Sequence, residues 1–247
     1  MSRYFQVLER AARNNELVPA ASAPEPYSAA RRRPRSLDGL VREEITKLVQ
    51  RVFLLPNDGT APHAVVFCGL QHPEASTRIC ARAGQALAKQ GMNTVCLVDA
   101  NLRSPSLHTH FGVESGRGLV DALFQAGPIC DFAQPIAGAN LWIVPSGTTT
   151  PDVYTRLGGE LMQGCLAELC AQFHYVLIDA PPADLYADAA VVGKLADGVV
   201  LVVEANSTRR ATTKKVKENL DAANVKILGA VLDKRTFPIP EALYRRL

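Results

Sequence analysis

From residue 63 onward the chain alternates between short unbroken apolar runs and longer stretches with helical spacing. The runs are HAVVFCG (63–69), TVCLVDA (94–100), LWIVPSG (141–147), YVLIDAPP (175–182), GVVLVVEA (198–205) and KILGAVLD (226–233). None shows the every-other-residue polarity of a strand with one wet face. Continuous Val/Ile/Leu runs mark strands buried on both faces, as in a parallel sheet. Between them the spacing predicts helices over 76–90, 118–124, 151–172, about 184–195 and 208–223. The alternation predicts an α/β domain: a doubly wound, mostly parallel sheet flanked by helices. One more helix precedes it, over 40–53, with Val41, Ile45, Leu48, Val49 and Val52 as its apolar stripe.

Outside this region the pattern weakens. Residues 4–12 place Tyr4, Phe5, Leu8, Ala11 and Ala12 on one helical face, and 18–36 are rich in Ala, Pro, Ser and Arg. The expected organisation is a short helix with a flexible linker over 1–36, the α/β domain over 37–236, and a short tail over 237–247. The linker's RRRPR run (Arg31, Arg32, Arg33, Arg35) reads either as solvated linker or as attraction to an anionic surface.

Composition adds bounds. The 247 residues are 47% hydrophobic and 21% charged, with a formal net charge of +3. A chain of this size buries a full core without staples, and so small a charge does not by itself imply nucleic acid. The six cysteines have no C-x-x-C spacing and mostly lie in apolar runs, so reduced core thiols are expected. No apolar signal core opens the chain and no run reaches the ~18 apolar residues of a membrane span. A cytoplasmic location follows as the expectation, with any membrane association made through a partner or a surface contact.

In a doubly wound sheet ligands sit at the carboxyl ends of the strands. Three such ends carry polar groups here: the stretch after Cys68, DANLR at 99–103 and DAPP at 179–182. The first has the strand–loop–helix setting of a phosphate-binding loop. The second continues as LVDANLRSPSLHTHFGVESGRGLVDAL (97–123), and a further stretch reads YADAAVVGKLADGVVLVVEANSTRR (186–210). In this order, over about residues 38–235, the chain resembles the bacterial tyrosine kinases, P-loop nucleotidases that serve capsule and exopolysaccharide assembly. Their pattern D-x-D-x-R-x-P-S-x-H, then F-G and G-L-x-D, is matched at 99–121 apart from Asn101 in place of the second Asp.

The resemblance implies an ATP/ADP and Mg²⁺ site and names its positions. The family's G-x-G-K-[ST] falls on Pro73, Glu74, Ala75, Ser76 and Thr77, with Arg78 next. Thr77, Asp99 and Asp179 take the metal-binding positions, and Asp99 and Asp179 the catalytic ones. Arg103 and His108 also stand at family positions, with surface or capping roles equally open. A family E-x-x-R-x-x-R motif that drives ring formation is represented only by Glu44, Lys47 and Gln50, with Arg51 adjacent, and a solvated helix face is the competing reading. The family phosphorylates a tyrosine-rich tail, whereas Tyr244 is the single tyrosine of this one.

The substitutions in the loop carry physical costs. A phosphate loop binds with successive backbone N–H groups, and Pro73 has none. Ala75 resists a left-handed conformation by about 1–2 kcal/mol. Ser76 supplies no cation, and a charge-assisted hydrogen bond contributes roughly 1.5–3 kcal/mol. Arg78 lies two residues past the lysine position, about 200° round a helix, so it is expected to point away. For Asp99 and Asp179 two readings stay open: residual metal binding, or anchoring of the loops at strand ends.

The expectation is therefore a pseudokinase with impaired or absent ATP hydrolysis, acting as an interaction module beside the cytoplasmic part of a membrane polysaccharide chain-length or export protein, with homo-oligomers as a further option. The alternatives are an active tyrosine autokinase with a non-standard loop, and a Min-type positioning ATPase, whose signature lysine would stand at Gln71. No nucleic-acid partner is expected, because no basic stripe with interleaved aromatics runs along the domain.

Overall fold

The computed structural model describes residues 37–55, 60–91, 93–124, 127–148 and 152–234. The N-terminal helix and linker, the RRRPR run and the tail with Tyr244 lie outside the described residues.

A seven-stranded sheet organises the domain, in the order β3-β4-β2-β5-β1-β6-β7. Its strands are β1 (Ala64–Gly69), β2 (Val95–Asp99), β3 (Gln134–Pro135), β4 (Leu141–Val144), β5 (Tyr175–Ala180), β6 (Gly198–Glu204) and β7 (Ile227–Asp233). All neighbours are parallel except β3, which runs antiparallel to β4. The helices are α1 (Leu37–Val49), extended by a π-helical turn (Gln50–Leu54), α2 (Pro73–Ala88), α3 (Leu119–Phe124), α4 (Val153–Arg156), α5 (Glu160–Gln172), α6 (Asp188–Gly193) and α7 (Arg210–Ala222).

Because strand side chains alternate faces, the continuous apolar runs feed two cores. Val65, Phe67, Leu97 and Leu177 pack with Ile45 and Val49 of α1 and Ile79 and Leu87 of α2. Val66, Val98 and Ile178 pack on the opposite face with Leu119, Leu166, Val192 and Val216 from α3, α5, α6 and α7. Gly84 sets the closeness of α2 to the sheet: a Cβ there would lie 2.7 Å from Leu97 Cδ2. All six cysteines are free, and Cys68, Cys80, Cys96 and Cys165 are buried.

Some boundaries depart from the sequence reading. The helix expected over 151–172 breaks into α4 and α5 at Gly158–Gly159, where two glycines weaken helix continuity. The helix expected from 184 starts at Asp188, after a turn. Most consequentially, α2 begins at Pro73 rather than at 76. Proline suits the first helical position, where its missing N–H is not needed. Only Leu70–His72 are left to join β1 to α2.

The topology fixes where the polar strand ends meet. The chain leaves β1, enters β2 two strands away, and returns to fill the gap with β5, so β2, β5 and β1 lie side by side. Asp99 of β2 and Asp179 of β5 are register partners, and Cys68 of β1 pairs with Ala180 of β5.

Candidate functional site

The short connection after β1 is tied down at each residue. Gln71 adopts a left-handed conformation (φ 66°), and its N–H donates to Asp184 Oδ1 (2.8 Å). The His72 N–H donates to the Leu70 carbonyl (2.8 Å), and the Ala183 N–H donates to the Gly69 carbonyl (3.0 Å). A Cβ at Gly69 would lie 2.8 Å from the His72 carbonyl oxygen, so glycine there permits the tight path. The connection is thus pinned to the segment following β5.

Pro73, Glu74, Ala75 and Ser76 form the first turn of α2 and not a loop. The Ser76 hydroxyl donates to the Pro73 carbonyl (2.9 Å). The Thr77 hydroxyl donates to Asp179 Oδ2 (2.6 Å), with the Pro73 carbonyl a weaker alternative at 3.1 Å. Arg78 turns to β7, where it donates to Asp233 Oδ2 (2.6 Å). Of the six positions proposed from sequence to hold a cofactor, Thr77 makes the short bond to the candidate carboxylate Asp179, and Ser76 lies close enough to support it.

Asp99 and Asp179 are fully buried. Asp99 Oδ1 accepts from the Asn101 N–H (3.2 Å) and Oδ2 from the Leu107 N–H (3.0 Å), so it anchors the segment leaving β2. Burial pushes its carboxyl up to about 7 against these stabilising bonds. Burial, and then the Asp99 charge, push Asp179 well above the ordinary carboxylate range, opposed by hydrogen bonds from Thr77 and Ser76. Around the pair, Asp179 Oδ1, Asn101 Nδ2 and His108 Nδ1 are buried without a hydrogen-bond partner. His108 Nδ1 stands 4.0 Å from Asp99 Oδ2.

These groups fit one part of a nucleotide complex better than the other. A hydroxyl and two carboxylates, one with an unpartnered oxygen, are the hard oxygen donors that a divalent cation takes. Asn101 contributes an amide where a third negative charge would strengthen that set. Among the described residues no group of three or more His, Cys, Asp or Glu is arranged to hold a metal unaided. The set is poorer for a triphosphate: Pro73–Ser76 are helical, Ser76 brings no cation, and Arg78 is paired with Asp233.

Arg103 has a role that spacing did not reveal. Its guanidinium donates to both oxygens of Asp188 (2.9 and 3.3 Å) and lies 4.1 Å from the ring centroids of both Tyr154 and Tyr186. It clamps the segment after β2 to α4 and to the start of α6. Asp188 and Tyr186 stood inside the matched 186–210 stretch, but nothing in one sequence pairs them with Arg103. Asp184, which holds Gln71, carried no signal. Glu44, Lys47, Gln50 and Arg51 are all exposed, and Lys47 is engaged within its own helix by Glu44 (2.8 Å) and Glu43 (3.4 Å).

Comparison with known proteins decides the family. The chain is 32% identical over 160 residues to tyrosine-protein kinase YwqD of Bacillus subtilis, a match covering 65% of this chain and 67% of that protein. The chain belongs to the bacterial tyrosine-kinase family. The putative tyrosine-protein kinase CapB of Staphylococcus aureus is 28% identical over 147 residues. The matched stretch spans 64% of CapB, so the chain accounts for about two thirds of the length of these kinases. No family model matches the chain. Among solved structures, the chimerical protein CapA2B2 superposes with a TM-score of 0.74 at 23% identity, covering 83% of this chain and 88% of that one. The cell division ATPase MinD of Pyrococcus furiosus gives 0.60 at 23% identity, covering 74% and 78%. At these identities the superpositions establish the P-loop NTPase-like sheet shared by tyrosine kinases and Min proteins, and the Min relationship is a distant structural one.

Proposed function

We propose that the chain is a catalytically deficient member of the tyrosine-kinase family, serving as an interaction and regulatory module in capsule or exopolysaccharide synthesis or export. The observation that carries this reading is the closed first turn of α2. A triphosphate would have to unwind Pro73–Ser76, detach the segment that Asp184 pins, and still find no cation at Ser76. Each 1.4 kcal/mol of that deficit weakens binding about tenfold. The partner of this reading is the cytoplasmic part of a membrane polysaccharide chain-length or export protein, which would bring the 37–236 domain to the inner face of the membrane. No described helix is long and apolar enough to cross a membrane. Self-association through Glu44, Lys47, Gln50 and Arg51 would require Lys47 to exchange its partners within the helix.

A second reading has its own support. The unpartnered Asp179 oxygen and the retained Thr77 hydroxyl suit an autokinase in which Thr77, Asp99 and Asp179 hold Mg²⁺. Such an ion would supply the positive charge the paired carboxylates lack. Calorimetric titration with ADP and ATP, with and without Mg²⁺, separates the two. The deficient reading expects no sub-micromolar binding and no phosphotyrosine after incubation with Mg-ATP. Tight binding, with phosphotyrosine that disappears in Asp179→Ala, would establish the autokinase instead.

A further inference from the structure

Well down α2 from its buried N-terminal turn, a groove of about 500 Å³ runs between α1 and the second half of α2. Its floor is apolar, formed by Val41, Ile45 and Ala86, and its rim carries Arg42, Arg82 and Lys89. None of these three cations forms an ion pair among the described residues. Most of the other described arginines with a partner are spent on carboxylates or aromatic rings, as Arg78 on Asp233 and Arg103 on Asp188. The positive field reaches past the rim: burial first, then Arg78 and Arg82, hold His110 below its usual range. The groove uses the 41, 42, 45 and 46 positions of α1, a different face from Glu44, Lys47 and Arg51.

We infer that this groove receives an acidic amphipathic segment of a partner protein, its apolar side chains on Val41, Ile45 and Ala86 and its carboxylates on Arg42, Arg82 and Lys89. The inference rests on the reading of the chain as an interaction module and gives that module a recognition chemistry. Helix-in-groove binding combines such a floor with such a rim. The chain's own ends are poor candidates. Residues 1–36 hold seven arginines against three glutamates, and residues 235–247 three arginines against one glutamate. Like charge would repel both. A flat anionic bilayer cannot reach the floor of a concave groove, and no aromatic side chain lines it to stack on bases.

The test uses the full chain and a fluorescein-labelled synthetic peptide with leucines at helical spacing and glutamates elsewhere, followed by fluorescence anisotropy. Binding should weaken with added salt. It should fall about tenfold or more in Arg82→Glu/Lys89→Glu, and also in Ala86→Phe, which fills the floor without changing charge. Circular dichroism confirms that both variants fold. The inference is overturned if the peptide does not bind, if a version with serines for leucines binds as well, or if Ala86→Phe leaves affinity unchanged. It is also overturned if vesicles of anionic lipid, and not the peptide, lose binding in the charge-reversal variant. Nucleotide titration of the same preparation keeps the two readings apart: tight ATP binding with intact peptide binding removes the deficiency and leaves the groove, and the reverse pattern removes the groove alone.

Discussion

Asp179→Asn should stabilise this protein, and more at pH 8 than at pH 5. Asp99 and Asp179 are register partners on adjacent strands and are both fully buried. For Asp99 the folded-state value of about 7 stands against an unfolded value of 3.8. Between those values the folded protein keeps a proton that the unfolded chain has lost. Its contribution to stability is therefore complete below about pH 4 and declines as pH rises through 7. Three pH units at 1.36 kcal/mol each put the cost of ionising it at about 4 kcal/mol at most. Asp179 is displaced in the same direction, so the loss continues above pH 7. The amide keeps an acceptor for the Thr77 hydroxyl and removes one of the two charges. A gain of roughly 1–3 kcal/mol at pH 8 is expected; it shrinks as pH falls and vanishes only near pH 4, because at pH 5 the unfolded chain is already ionised while the folded pair still holds its protons. Urea unfolding followed by circular dichroism measures both, the midpoint moving while the slope stays constant. If the variant is less stable than the parent at pH 8, or the parent's stability is flat between pH 5 and 8, the carboxylates are compensated by another charge and the reasoning fails.

Three further substitutions probe the same architecture by urea unfolding. Thr77→Val deletes the 2.6 Å bond to Asp179 and leaves that carboxylate with both oxygens poorly satisfied, so a loss of about 1–3 kcal/mol is expected. Arg103→Ala should cost a similar ~1–3 kcal/mol by releasing Asp188 and the faces of Tyr154 and Tyr186, and Arg103→Lys should restore little, since an ammonium neither forks nor stacks. Tyrosine fluorescence, altered by both changes, reports the loss of the sandwich. Gly84→Val should destabilise by ~1–3 kcal/mol through collision with Leu97, which stands 2.7 Å from the new Cβ.

The strands were legible because a run buried on both faces has no room for polar alternation, and β1, β2, β4, β5 and β6 announce themselves that way; β7 carries the same apolar pattern but lies at the sheet edge with Leu232 exposed. The two-residue β3 has too few side chains for any period. The candidate site was legible in its carboxylates and in Thr77, since a short polar motif at the end of an apolar run is visible without tertiary information. What stayed hidden depends on contacts far along the chain. Asp184 reaching Gln71, Asp188 reaching Arg103 and Asp233 reaching Arg78 are separated by 113, 85 and 155 residues, and no local pattern encodes such pairs.

The misplaced start of α2 bears most on function. Reading 69–75 as a loop followed from the family pattern, in which glycines keep the backbone out of the helix. Once those glycines are replaced, the local preferences of Pro73, Glu74 and Ala75 prevail. Proline presets the first helical φ, glutamate in the first turn favours the positive end of the helix dipole, and alanine is the best helix former. The lost lysine and the closed turn then act together: a helical Ser76 satisfies its hydroxyl on the Pro73 carbonyl and brings no positive charge to the two buried carboxylates. Those carboxylates, left without a cation, are driven toward their protonated forms by burial and by each other. On the proposed reading such a site gains little from binding phosphate, and the one test of that coupling is to restore both glycines and the lysine together. Pro73→Gly/Ala75→Gly/Ser76→Lys should reopen the loop and lower the Asp99 carboxyl from about 7 toward the ordinary range, read by ¹³C shifts of the aspartate side chains. A carboxyl that does not move would mean that α2 holds its first turn regardless of those three residues.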